Sequence, residues 1–272
     1  MVYRATSTHS GRDYVFRFVP ASAIGSQDRV TQCLKSSILI GRATSGRVVP
    51  LADAIQAGDA VAIVTRFIQG VSLDRIISDR RKEGNIPPDL ASADLDRTLH
   101  SLDQVIDRVA TIHAAGERFP ELRPSNILID SHNAVWLMDF MLSRLLYPNN
   151  PMLAIDHISV GDSQSSYLEP SIRVANVSFV APEEWSGRKR ADQRADVFRL
   201  GVVAYQALTL RLPYKSMVTE HQHRQPPGIR ALQPAVSPEL DSIVLRALCP
   251  QPEGRYLSAT DMAVEWRRLR NS

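Results

Sequence analysis

Cysteine and lysine are scarce in this chain of 272 residues, and glutamate is missing ahead of Glu83. Each shortage removes a class of protein. Cys33 and Cys249 are too few and too far apart for a disulfide framework or a zinc site, so a reducing, cytoplasmic setting is the expectation. No apolar run approaches the ~20 residues of a membrane-spanning helix. The N-terminus, with Arg4, His9, Arg12 and Asp13, has no signal-peptide core. Lysine occurs only at Lys35, Lys82, Lys189 and Lys215, and the net charge is a modest +3. Arginines scattered among acids read as a mixed solvated surface and not as a nucleic-acid patch. What is there is ordinary: 44% hydrophobic and 22% charged residues, enough for one large domain or two small lobes with an ample core.

The densest chemistry lies between Gly116 and Leu145. Two apolar segments, Ile127–Ile129 and 135–138, flank the turn-forming Asp130-Ser131-His132-Asn133, which is hairpin grammar. That register sets Asn126 beside Asp139. A carboxamide and a carboxylate at one end of a hairpin are hard oxygen donors of the kind a phosphate-bound Mg²⁺ accepts, so the pair marks a nucleotide-site candidate.

Glu121-Leu-Arg-Pro-Ser-Asn126 resembles the catalytic loop of protein kinases, and Asp139-Phe140-Met141 resembles their metal-binding Asp-Phe-Gly. Ala181-Pro182-Glu183, the helix containing Asp196-Val-Phe-Arg-Leu-Gly201, and Arg255 follow in the family's order. On these motifs the chain is identified as a member of the eukaryotic-like bacterial Ser/Thr protein kinase family; small-molecule kinases of the aminoglycoside type come second. The resemblance implies an α+β, two-lobed protein-kinase-like fold. Residues 1–65 would form a small β-rich lobe that begins at the second strand, Val2 to Ala5, without the first strand and glycine-rich loop. Residues 66–70 would be the hinge and 71–272 the mainly helical large lobe, with an activation segment over 139–183. Thr65, Phe67 and Ile68 would stand at the nucleotide's edge. Asp196 would be a buried strut that accepts backbone hydrogen bonds from the catalytic loop, and Glu183 would pair with Arg255.

The departures from the family pattern decide the function. Phe119-Pro120-Glu121 replaces His-Arg-Asp, Arg123 replaces the following Lys, and Met141 replaces Gly. Arg17 stands where a strand Lys would hold phosphates, and a guanidinium fork does not reproduce an ammonium's contacts. It reads equally well as a surface strand residue. With no glutamate before Glu83, the helix spanning 27–41 has no Glu to offer a strand cation. Glu121, at the base position, reaches roughly one methylene farther than Asp, and misplacement near 1 Å can cost about a hundredfold in rate; it reads also as a loop carboxylate without a role. Two functions follow. One is a pseudokinase that acts as a signalling scaffold on a protein partner; the other is a weak Ser/Thr kinase working with Glu121, Asn126 and Asp139, ATP and Mg²⁺.

The remaining expectations concern elements. Arg47–Ala52 and Ala60–Thr65 read as strands, and 78–92 as a charged loop. A long helix from Ser92 to near Gly116 carries His113 on its packed face. The central helix buries one stripe, Val197, Leu200, Ala204 and Leu208. Ser237-Pro238 and Ser258 start the last two helices. The stretch from Tyr147 to Val174 reads as a mobile or interacting loop whose Ser163, Ser165, Ser166 and Tyr167 are commonplace hydroxyls. Asn176 stands where the family has a Thr. His221 and His223 lack further metal ligands.

Overall fold

The computed structural model describes residues 1–24, 26–82, 92–146, 178–186, 191–214 and 224–271. The chain divides into two compact units, Met1–Gln69 with Trp136–Arg173, and Gly70–Val135 with Val174–Ser272. Among the described residues no helix is long and apolar enough to cross a membrane.

The first unit is a four-stranded antiparallel sheet with a helix. Its strands are β1 (Val2–Thr6), β2 (Asp13–Pro20), β3 (Leu51–Ala57) and β4 (Ala60–Arg66), in the order β1-β2-β4-β3. β4 carries an apolar run, buried from Val61 to Val64, because it has neighbours on both edges. Its hairpin with β3 closes through Gly58, whose φ of +61° suits a two-residue turn. β1, on the sheet's edge, is exposed at every position. Helix α1 (Gln27–Ala43) packs Val30, Cys33 and Ile40 inward, and its buried Ser37 accepts a hydrogen bond from the Leu51 N–H at 2.7 Å.

The strand expected from Arg47 begins only at Leu51. Arg47 and Val49 use their backbone elsewhere: the Val49 N–H donates to the Leu137 carbonyl and the Leu137 N–H to that of Arg47, each at 2.8 Å. Pro50, which has no N–H, then separates this bridge from the ladder that follows.

The second unit is mainly helical. A two-residue strand β5 (Val71–Ser72) pairs with β6 (Ile127–Ile129). β7 (Val135–Leu137) completes the second sheet, ordered β5-β6-β7, and carries the chain back to the first unit. Helix α2 (Leu73–Lys82) contains residues 78–82, which the sequence assigned to a loop. Charge holds that turn helical. Arg75 meets Asp79 at 2.6 Å, and basic Arg80, Arg81 and Lys82 suit a helix C-terminus. Helix α3 (Ser92–Ala114) is the long helix expected.

The short helices α4 (Leu142–Leu146) and α5 (Pro182–Ser186) precede the central α6 (Gln193–Thr209), α7 (Pro238–Ala247) and α8 (Ala259–Arg270). Ser237 and Ser258 cap α7 and α8 by accepting from the backbone N–H of Leu240 and Asp261. The expected stripe on α6 was too narrow: every residue from Ala195 to Thr209 is buried, because α3, α7 and α8 surround the helix. Gly201 is where α6 meets the end of α7. A Cβ there would stand 2.9 Å from Leu248 Cγ and 3.1 Å from the Ala247 Cβ. Gly201→Val is therefore expected to cost about 1–3 kcal/mol through overpacking. An unchanged urea midpoint would disprove that close approach.

Candidate functional site

In the first unit the site is built on β2 and on the turn after β7. Leu137 is held by the bridge to Arg47 and Val49, and Trp136 lies under the Arg47 guanidinium, 4.2 Å from its ring centre. Asp139 and Met141 then adopt φ of +61° and +71°, and the Leu142 N–H donates to the Asp139 carbonyl at 3.0 Å to open α4. The family's glycine would take the Met141 conformation freely. A residue with a Cβ does so at a cost of roughly 1–2 kcal/mol.

Arg17, on β2 opposite Ile63, reaches this turn. Both terminal nitrogens of its guanidinium donate to one carboxylate oxygen, Asp139 Oδ2, at 3.2 and 3.1 Å. The side chains are 25% and 12% exposed, so the pair is largely shielded from solvent. The sequence pointed elsewhere on this residue: it looked for an acid on the helix now seen as α1, found none, and kept a surface-residue reading open. The acid comes instead from the candidate metal position. The same unit holds Thr65, buried on β4, and Ile68, also buried; the Phe67 N–H donates to the Asp13 carbonyl at 2.9 Å.

In the second unit Glu121, Arg123 and Asn126, the residues expected in a catalytic loop, are all buried. Pro124 opens a single 3₁₀ turn that ends at Asn126, whose Nδ2 donates to the Glu121 carbonyl at 2.9 Å. That bond braces the loop from within and leaves the amide oxygen as the atom able to meet a cation.

The loop is also held from α6. Asp196 Oδ2 accepts the Phe119 N–H at 2.5 Å and lies 3.1 Å from His113 Nε2. His113 Nδ1 accepts the Ala259 N–H at 2.9 Å, so Nε2 carries the proton and donates it to Asp196. This places His113 in the core, as a strut between α3, α6 and α8. Asp196 Oδ1 takes a further bond from Arg199 Nη1 at 3.1 Å, and Arg199 Nη2 donates to Glu184 Oε2 at 2.6 Å. Burial alone would raise the Asp196 carboxyl. The His113 hydrogen bond and the Arg199 charge outweigh it and hold the group below the usual carboxylate value. Burial likewise opposes the Arg199 charge, but Glu184 and Asp196 beside it push its pKa up.

Next to this chain of charges, Arg255 grips Glu183 through two bonds of 2.9 Å and donates also to the carbonyls of Cys249, Arg194 and Pro250. The Arg199–Glu184 pair escaped the sequence reading. Its only trace there is the spacing of Arg199, three residues beyond Asp196 on the same helix.

Asp139 and Asn126 offer the oxygen donors that suit Mg²⁺, but they belong to different units, and Asp139 already carries a guanidinium. That contact occupies Oδ2 of the carboxylate. Among the described residues no group of three His, Cys, Asp or Glu could hold one. The Tyr147 to Val174 stretch with its hydroxyls, Asn176, His221 and His223 lie outside the described residues.

Residues 1–266 match the family described as the protein kinase domain. Serine/threonine-protein kinase Pkn1 of Myxococcus xanthus is 35% identical over 166 residues, which is 58% of this chain and 22% of that protein. Serine/threonine-protein kinase PknB of Mycobacterium tuberculosis is 28% identical over 220 residues, 79% of this chain and 31% of its own. Serine/threonine-protein kinase PknE of Mycobacterium bovis is 24% identical over 266 residues, covering 96% and 42%. The chain thus spans less than half the length of these curated relatives. The crystal structure of the Mycobacterium tuberculosis PknI kinase domain aligns with a TM-score of 0.65 at 18% identity, over 98% of this chain and 89% of that one. That likeness establishes the α+β, protein-kinase-like fold.

Proposed function

Since the chain belongs to the protein kinase domain family, we propose that it is a catalytically impaired member, a pseudokinase that acts as a signalling scaffold or allosteric partner of another protein. The observation that supports this reading is the clasp of both Arg17 terminal nitrogens on one oxygen of Asp139. Phosphoryl transfer in this family rests on positioning and on metal ions that neutralise the phosphates. A guanidinium remains charged at any relevant pH, so a cation of this chain's own sits on the carboxylate that would coordinate Mg²⁺. Bringing a divalent ion to the same oxygen requires breaking two charge-assisted hydrogen bonds or bearing the repulsion of two cations. Glu121 in place of the catalytic Asp compounds the handicap.

In this reading residues 1–65 are the small lobe, 66–70 the hinge with Phe67 and Ile68 at the adenine edge, and 71–272 the large lobe, with an activation segment over 139–183. ATP, if it enters, meets Arg17 and the hinge and not a well-held metal. The other reading, a weak Ser/Thr kinase using Glu121, Asn126 and Asp139, draws support from the curated relatives, which are named as kinases.

The deciding experiment measures thermal shifts with ATP alone, ATP with Mg²⁺ and ATP with Mn²⁺, alongside transfer to a generic basic protein. The expected result is no metal-dependent shift and no transfer in the native chain. In Arg17→Met, which frees Asp139, a metal-dependent shift is expected to appear. Turnover by the native chain that disappears in Asp139→Ala overturns the pseudokinase reading.

A further inference from the structure

A cavity of about 630 Å³ in the second unit is lined by Ser78, Arg81 and Lys82 of α2 and by Thr209, Leu210 and Arg211 at the end of α6. Among these described residues half the lining is cationic and none is acidic. Cations elsewhere on the surface are of both kinds, and Arg12, Lys35 and Arg42 have no acidic partner among the described residues. Arg4, Arg75, Arg97, Arg246 and Arg267 each meet an Asp or Glu within 3.2 Å. Among the described residues Arg81 and Arg211 have no acidic partner, and Lys82 comes only within 3.8 Å of Asp79, which Arg75 already holds at 2.6 Å.

The plain explanation is that cations favour helix C-termini, and α2 and α6 both end at this cavity. It accounts for part of the charge. Each terminus carries roughly half a negative charge, so the two together offset roughly one cation of the three. Arg211 is moreover set in place by its backbone. Leu210 turns through a φ of +56°, and the buried Thr209 hydroxyl accepts the Arg211 N–H at 3.2 Å while it donates to the Tyr205 carbonyl at 2.7 Å.

We propose that this cleft binds an acidic peptide segment of a protein partner, with carboxylate side chains meeting Arg81, Lys82 and Arg211. A single small anion would need cations converging on one point. Here they come from two elements around a space far larger than one anion, which suits carboxylates spaced along a chain. The proposal stands whether or not the chain transfers phosphate.

The test uses a fluorescein-labelled deca-glutamate peptide and reads its anisotropy at low and moderate salt. The native chain binds it, with an affinity that falls as salt rises. The triple variant Arg81→Glu, Lys82→Glu, Arg211→Glu is expected to lose at least about tenfold in affinity. A second triple, Lys35→Glu, Arg42→Glu, Arg268→Glu, makes the same change in net charge at exposed positions outside the cavity and is expected to lose less than about threefold. Circular dichroism melts confirm that both fold, and the single Arg211→Gln, expected to weaken binding by a few fold, replaces the first triple should it not. Equal losses in the two triples reduce the effect to overall charge and overturn the site. So does an absence of binding by the native chain, or binding only to phosphatidylserine vesicles.

Discussion

Arg255→Ala is expected to remove about 3–5 kcal/mol of stability, the cost of leaving one partner of a buried ion pair behind. Arg255 has a fully buried side chain, and Glu183, its partner, is only 11% exposed. The guanidinium also satisfies three backbone carbonyls, those of Cys249, Arg194 and Pro250, and its carbon lies 4.9 Å from the Phe198 ring centre. Truncation therefore strands a carboxylate and three acceptors at once and opens a cavity beside an aromatic ring. At roughly 2–4 °C per kcal/mol the melting temperature would fall by roughly 6–20 °C. Glu183→Gln, which keeps the shape and one acceptor, is expected to cost less. A double variant of the two should cost clearly less than the sum of the singles, because they share one interaction. Strict additivity in urea unfolding would show that the pair is not energetically coupled.

Asp196→Ala carries a comparable penalty, also about 3–5 kcal/mol, for a different reason. Its two oxygens receive the Phe119 N–H, the His113 Nε2–H and Arg199 Nη1, so removing them leaves three buried donors facing nothing. Arg199 keeps Glu184, which limits the damage on that side. The Phe119 N–H belongs to the chain leading into Glu121, so the loop should loosen along with the global loss. Faster amide exchange at 119–122 would report it.

The same carboxylate predicts a pH dependence. Its folded pKa lies below the usual carboxylate value, so its contribution is present in full above about pH 4 and drains away as pH falls through the folded value. Asp196→Asn should accordingly lag the native chain most at neutral pH, and the gap should narrow in the acid limb. A gap independent of pH would mean that geometry and not charge is what Asp196 supplies.

Local structure was largely legible in the chain. The helical spacing of Leu95, Leu99, Leu102, Ile106 and Val109 and the serine caps at 237 and 258 act within a few residues of themselves, and α3, α7 and α8 lie where those patterns put them. The misses are also local in kind. The strand start slipped from Leu51 to Arg47 because apolar Val48 and Val49 look like strand, although their hydrogen bonds run to Leu137. Residues 78–82 looked like loop because they open a charged stretch that bears Gly84, Pro87 and Pro88, when ion pairs and the helix dipole favour a helical turn there.

By itself the sequence determined which side chains this protein has to work with: an Arg where a Lys would grip phosphate, a Glu where an Asp would orient a hydroxyl, and an Asp where a metal ligand would be expected. Only the tertiary structure decided that the first and last of these neutralise each other. Arg17 and Asp139 are 122 residues apart, and no pattern of period two or 3.6 relates them. They meet because β2 and the turn after β7 are folded into the same unit. Charge and shape are properties of a residue, whereas a partner is a property of the fold that brings two distant segments within bonding distance.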